Sequence, residues 1–126
     1  MPLRTSLSLW LPPLALMAVI FYLSAQPDLS SGLGIFDLVG RKMVHAAEYA
    51  LLCALWWRAL RPAAPSRVAL VAALTVSIVY AASDELHQSF IPGRTGTPID
   101  VSIDAVGAGV AALIIRRRER RVAGLG

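Results

Sequence analysis

The segment SDELHQSFIPGRTGTPIDVSID, residues 83–104, concentrates chemically active groups in an otherwise apolar chain. It contains half of the eight acidic residues and several further polar groups: Asp84, Glu85, His87, Gln88, Arg94, Asp100 and Asp104. Carboxyl groups crowded into a medium of low dielectric can divide into a protonated acid and an ionised base, which suits acid–base catalysis. Asp84 and Glu85 are therefore candidate catalytic residues.

A second group of polar residues stands in the apolar stretch KMVHAAEYALLCALWWRAL, residues 42–60. Lys42, His45 and Tyr49 are spaced i, i+3 and i+7, which predicts one shared helix face. His45 is a third catalytic candidate, because an imidazole exchanges protons near neutral pH. A cation such as Lys42 or Arg94 can hold a phosphate or carboxylate group of a ligand.

The other polar side chains are expected to line the same site. The candidate ligand-binding residues are Lys42, Tyr49, Gln88, Arg94, Asp100 and Asp104. Carboxylates and histidines also bind divalent cations, but their spacing here matches no dedicated metal motif, so no metal ligand is predicted. The sequence has no G-x-S-x-G, H-E-x-x-H or phosphate-loop motif that would indicate a particular reaction or cofactor.

The elements that carry these residues are expected to be membrane-spanning helices. Of the 126 residues, 56% are hydrophobic and 16% are charged, whereas soluble domains carry about 25% charged residues. Apolar runs long enough to cross a bilayer cover residues 7–25, 42–60, 68–90 and 99–115, and none alternates as a barrel strand would. The first run could also be a signal peptide, but no A-x-A cleavage site follows it.

We therefore predict an all-α fold: a polytopic bundle of four transmembrane helices with short loops, in one domain covering residues 1–126. The Lys/Arg distribution predicts its orientation. With both termini in the cytoplasm, the cytoplasmic segments contain nine of the twelve basic residues: Arg4, Arg58, Arg61, Arg67, Arg116, Arg117, Arg118, Arg120 and Arg121. The basic tail, residues 116–126, directly follows a span, so we interpret it as an anchor facing anionic lipid and not as a nucleic-acid site.

This topology would bring the two polar groups together. The second and fourth spans begin, and the third ends, at the extracytoplasmic face. His45, Glu48, Asp84 and Asp104 would then share one membrane level, where ionisable groups should face the bundle interior. The fourth span has small-residue faces formed by Gly107 and Gly109 with Ala105, Ala108, Ala111 and Ala112. Of these, Ala105 and Gly109 form a small-x-x-x-small pair, which predicts close helix packing at that face.

The polar residues also resemble those of the VanZ-like family. The resemblance covers about residues 21–109 and rests on FYLSAQP (residues 21–27), Lys42-x-x-His45 with Tyr49, Asp84-Glu85-x-x-Gln88, Pro92-Gly93-Arg94, Asp100 and Gly107. Arg41 and Asp104 stand where the family commonly has an acid and an asparagine. The resemblance implies a small multi-pass protein of the bacterial plasma (inner) membrane, in a family named for a member linked to teicoplanin resistance. It implies no settled reaction.

Three functional hypotheses remain open. In the first, the polar pocket is the active site of an enzyme acting on an envelope lipid or glycolipid headgroup. In the second, the pocket binds an envelope or glycopeptide-related ligand without chemistry, as a membrane binding or structural protein. In the third, the protein is a small transporter. It would then need to form a homo-oligomer, because four helices without internal repeats do not supply the two units that move against each other in alternating access. Membrane lipids are the expected partners, and nucleic acid is not.

Overall fold

The chain folds into α helices, and the computed structural model describes residues 3–24, 35–90 and 98–122. The helices are α1 (Leu3–Ser24), α2 (Ile35–Leu60), α3 (Ser66–Gln88) and α4 (Pro98–Val122). The prediction of an all-α fold with four helices is confirmed for this described part of the chain. Within it, α1 accommodates Pro12 and Pro13 inside the helix, as membrane helices do more readily than soluble ones.

All four helices begin before the predicted spans, and two of them, α2 and α4, extend furthest beyond the prediction. α2 begins at Ile35 instead of residue 42, so the stretch IFDLV is helical. α4 continues to Val122 through the sequence RRRERR, because arginine and glutamate are both good helix formers. The arginines that follow Ile115 therefore stand, up to Arg121, on the same helix as Asp104.

α2 is the central helix of the bundle. It packs most extensively against α4, and it also contacts α3 and α1, while α3 packs against α4. Many of the buried core positions are small: Cys53, Ala59, Ala69, Ala73, Ser77, Ala81, Ala108 and Ala112. Small residues let helix backbones approach closely, which is how helices associate in membranes.

The helices α2 and α4 approach each other closely at Gly107. A Cβ atom built on Gly107 would overlap the backbone carbonyl group of Ala46. By contrast, a Cβ atom on Gly109 would meet no atom within 4 Å. The predicted pairing through Ala105 and Gly109 is therefore wrong at Gly109, and Gly107 is the glycine that the helix contact requires.

Large apolar side chains cover the outside of the bundle. They occur on every helix and include Leu11, Leu14, Met43, Leu51, Val71, Val79, Val106 and Leu113. Apolar side chains exposed on every helix are expected of a surface that faces lipid or a partner. Two helical segments, Arg4–Leu23 and Ser66–Gln88, are long and apolar enough to cross a membrane.

Side-chain contacts fix the directions of the helices. Arg58, near the end of α2, donates a hydrogen bond to the Ser8 carbonyl near the start of α1 at 3.0 Å. His45 and Asp104, in the N-terminal halves of α2 and α4, lie 3.9 Å apart. α1 and α2 are therefore antiparallel, and α2 and α4 are parallel. We call the end of the bundle that holds His45 and Asp104 the polar end, and the opposite end the basic end.

Candidate functional site

His45 stands between two carboxylates at the polar end. Its Nδ1 atom lies 4.0 Å from Oε2 of Glu48 and 3.9 Å from Oδ1 of Asp104. Both distances allow an ion pair when the imidazole is protonated, but both exceed hydrogen-bond length. At such separations a bridging polar group often mediates the contact. The three side chains thus form an acid–histidine group to which α2 and α4 both contribute.

The packing of α4 on α2 explains how Asp104 reaches His45. Asp104 and Gly107 are spaced i and i+3, so they lie on the same face of α4. Gly107 is pressed against the backbone of Ala46, the residue next to His45. Because Gly107 has no side chain, the two helices approach closely enough to bring the Asp104 carboxylate to the imidazole.

α3 contributes a second buried carboxylate. Only 4% of Asp84 is exposed, and Asp104 is 5% exposed. The Asp84 carboxylate interacts electrostatically with Glu48, Tyr49 and Tyr80, so it faces α2 at the level of the acid–histidine group. We call His45, Glu48, Tyr49, Asp84 and Asp104 the polar cluster. Gln88, one helical turn beyond Asp84 on α3, is also buried.

Tyr49 forms the innermost wall of the polar cluster. Its side chain is fully buried, and its hydroxyl group has no hydrogen-bond partner among the described residues. The acids within electrostatic range of the hydroxyl include Asp84, Asp104 and Glu48. A buried polar atom without a partner is uncommon in native proteins and calls for an explanation.

The remaining predicted site residues lie around the cluster or outside the described part of the chain. Lys42 and Glu85 are partly buried near the polar end. Arg94 lies in a segment that the structure does not describe, and Asp100 belongs to α4 but its side chain is not described. The predicted roles of these residues, and of the cluster itself, stay predictions.

Two contacts near the cluster were not foreseen from the sequence. The Tyr80 hydroxyl donates a hydrogen bond of 2.5 Å to the Met17 carbonyl of α1. The His87 ring stacks on Phe21 of α1, with ring centroids 4.3 Å apart. Tyr80 stands four residues before Asp84, so helical spacing could have indicated it, whereas no local pattern links Phe21 to His87.

The arrangement is suited to hydrogen bonding and proton exchange. An ionised carboxylate accepts hydrogen bonds, an imidazole can donate or accept, and a tyrosine hydroxyl can do both. His45 could exchange a proton with either neighbouring carboxylate as a ligand enters. Among the described residues, no group of three or more His, Cys, Asp or Glu side chains is arranged to hold a metal ion.

These features define a class of protein: a helical membrane protein with an outward apolar surface and a buried acid–histidine cluster at one end. The family is then identified by comparison, since the family model described as VanZ/LLP1 matches residues 9–119. The chain belongs to the VanZ/LLP1 family. Neither the curated proteins nor the solved structures contain a match to it.

Proposed function

We propose that all four helices cross the bacterial plasma membrane, with both termini in the cytoplasm and the polar end at the extracytoplasmic face. Two of the helices have the length and apolar character of spans. The basic end collects Arg58, Arg61 and Arg67 with the arginines of α4. Positive residues favour the cytoplasmic side, which supports this orientation.

We further propose that the polar cluster binds the headgroup of an envelope lipid or glycolipid. One observation carries this proposal: Asp84 and Asp104, from two different helices, are 4% and 5% exposed and converge with His45 inside a membrane protein. Burying ionisable groups at membrane depth is costly, so such groups usually mark a functional site. The headgroup region of the outer leaflet would lie at the level of this end of the bundle.

The proposed physiological role is resistance to glycopeptides such as teicoplanin. A protein that sequesters or alters an envelope headgroup changes the surface that a glycopeptide meets. Membership of the VanZ/LLP1 family supports the proposal of a resistance role. The role belongs to the same site, so it should depend on the buried carboxylates of the polar cluster.

The test compares cells that express the wild type, Asp84→Asn or Glu119→Gln at equal membrane abundance. Asp84→Asn replaces a buried carboxyl group of the cluster by an amide with little change of shape, and Glu119→Gln makes the same chemical change at the basic end. Envelope lipids and cell-wall precursors are measured by mass spectrometry, and teicoplanin susceptibility is measured in parallel. We expect cells with the wild type and cells with Glu119→Gln to show the same lipid profile and the same teicoplanin susceptibility. Cells with Asp84→Asn should differ from both.

The same experiment separates chemistry from binding. A lipid species that appears only with an intact Asp84 would identify a reaction and its product class. Unchanged lipid composition together with a susceptibility that depends on Asp84 would identify binding without chemistry. If Asp84→Asn matches the wild type in both measurements, the polar cluster is not the functional site.

A further inference from the structure

We propose that the inner wall of the polar cluster, at Tyr49, receives a hydroxyl group of the lipid headgroup, so that the site selects hydroxyl-bearing headgroups over phosphate or ammonium ones. This inference rests on the proposed function, because it specifies the chemistry of the ligand that the same site would bind. Two sources could supply such a group: the sugar of a glycolipid or the terminal glycerol of a phospholipid.

The first argument is the hydrogen-bonding state of Tyr49. The side chain is fully buried, and its hydroxyl group has no partner in the described ranges of the chain. Leaving a buried hydroxyl unsatisfied costs about 1–3 kcal/mol. A ligand that pairs with it recovers this cost on binding. The neighbouring Tyr80 needs no ligand, because its hydroxyl already donates to the Met17 carbonyl.

The second argument is the charge around that hydroxyl group. The acidic side chains within electrostatic range of Tyr49 include Asp84, Asp104 and Glu48, which come from α3, α4 and α2. His45 is the basic residue of the polar cluster and is positively charged only when protonated. Lys42 lies outside the cluster, roughly 10 Å from Tyr49 along α2. An anionic phosphate at Tyr49 would stand near carboxyl groups from three helices, and each one that is ionised would repel it in a medium of low dielectric. Phosphate is therefore disfavoured there.

The third argument is the balance of donors and acceptors. Ionised carboxylates only accept hydrogen bonds, whereas the Tyr49 hydroxyl needs an acceptor for its proton. An ammonium group offers donors and no acceptor, and a fully ionised phosphate offers acceptors and no donor. A hydroxyl group of the ligand accepts from Tyr49 and donates to a carboxylate at the same time. Of these three groups, only the hydroxyl can accept from Tyr49 and donate to a carboxylate through one atom.

The test uses the purified full-length chain in phosphatidylcholine nanodiscs. Four lipids with identical acyl chains are titrated in separate experiments: monoglucosyl diacylglycerol, phosphatidylglycerol, phosphatidic acid and phosphatidylethanolamine. Bound lipid is counted by native mass spectrometry for the wild type, Tyr49→Phe and Tyr22→Phe. Tyr22 is exposed on α1, so its variant makes the same chemical change away from the cluster.

We expect the wild type to prefer one or both hydroxyl-bearing lipids to phosphatidic acid and phosphatidylethanolamine. Tyr49→Phe should weaken binding of the preferred lipid about 3–10-fold, the loss expected for one hydrogen bond. Tyr22→Phe should bind it like the wild type. Whichever of the glucosyl and glycerol lipids binds more tightly identifies the source of the hydroxyl group.

Other results would overturn the inference. A preference of the wild type for phosphatidic acid or phosphatidylethanolamine, lost in Asp84→Asn, would reject hydroxyl selection but keep the proposed headgroup site. Equal binding of the preferred lipid by the wild type and Tyr49→Phe would also reject the role of Tyr49. If all four lipids bind the wild type no better than phosphatidylcholine does, and Asp84→Asn gives the same binding as the wild type, both the inference and the proposed function fail.

Discussion

Tyr49 and Tyr80 face one another across the contact between α2 and α3, with ring centroids 6.4 Å apart, yet their hydroxyl groups serve different purposes. The Tyr80 hydroxyl ties α3 to α1 through the Met17 carbonyl. The Tyr49 hydroxyl lies among carboxylates and has no partner in the described part of the protein. The Tyr80 hydroxyl makes a structural hydrogen bond, whereas the Tyr49 hydroxyl is the group that we propose pairs with a ligand.

This difference predicts opposite effects on stability. Tyr80→Phe should lower the free energy of unfolding by about 0.5–1.5 kcal/mol, because it removes a hydrogen bond and leaves the Met17 carbonyl without that donor. Tyr49→Phe should leave stability unchanged or raise it slightly, because it removes a buried hydroxyl without a partner. Thermal unfolding of the delipidated protein in detergent measures both. A loss of stability in Tyr49→Phe as large as that in Tyr80→Phe would contradict this assignment.

Single residues of the site could be predicted from the sequence better than their contacts. The i, i+3, i+7 spacing placed Lys42, His45 and Tyr49 on one face of α2, and the location of His45 and Tyr49 agrees with it. The pairing of His45 with Asp104 depends on how two helices rotate against each other, which no local pattern encodes. The side chains of Arg94 and Asp100 lie outside the described part of the chain, so their expected roles stay predictions.

At the scale of the helices, the contact between α2 and α4 controls the geometry of the cluster. Gly107 allows the backbone of α4 to lie against the carbonyl group of Ala46. A wider separation of these helices would draw Asp104 away from His45, which now lies 3.9 Å from it. The contact is therefore both a packing feature and a condition for the site.

A pair of alanine substitutions tests this contact. Gly107→Ala should destabilise the protein by about 1–3 kcal/mol, because its Cβ atom would overlap backbone atoms that cannot move aside easily. Gly109→Ala is the matched control, since a Cβ atom there meets nothing within 4 Å. The control should be neutral or stabilising by up to about 1 kcal/mol, because alanine favours helices over glycine. Thermal unfolding in detergent measures both, and equal effects of the two substitutions would contradict the packing described here.

The helices themselves were largely predictable, but their ends and contacts were not. Long apolar runs indicated each helix. The sequence does not mark the start of α2 at Ile35, because Gly32 and Gly34 just before it are typical of an irregular loop. The sequence offers both Gly107 and Gly109 as small residues of α4, but spacing marks a helix face without stating which face meets a neighbour.

At the scale of the whole molecule, polarity is arranged inside out. The interior combines many small residues and the buried polar residues Ser77, Asp84, Gln88 and Asp104 with a few large side chains such as Ile20 and Leu52, whereas large apolar residues are exposed on every helix. The two ends differ in charge, since carboxylates and His45 gather at one end and arginines at the other. Positive residues favour the cytoplasmic side of a membrane, so this difference in charge favours the orientation with the basic end in the cytoplasm.

Cysteine labelling tests the proposed orientation. Cys53 is the single cysteine of the chain and is buried, so Cys53→Ala provides an unreactive background. In that background, Ser89→Cys lies at the polar end and Ala63→Cys at the basic end, both at exposed positions. A membrane-impermeant maleimide should label Ser89→Cys in intact spheroplasts, and Ala63→Cys only after permeabilisation. The reverse pattern would place the polar end in the cytoplasm and exclude an extracytoplasmic headgroup site.

The measurement that tests the central claim most directly is native mass spectrometry of the full-length protein released from its host membrane. The wild type and Glu119→Gln should retain the same lipid, detected as one added mass. Asp84→Asn should retain it at least about tenfold less, as expected when a charge-assisted hydrogen bond to the ligand is lost. If all three proteins retain the same lipids in the same amounts, the polar cluster does not bind a headgroup.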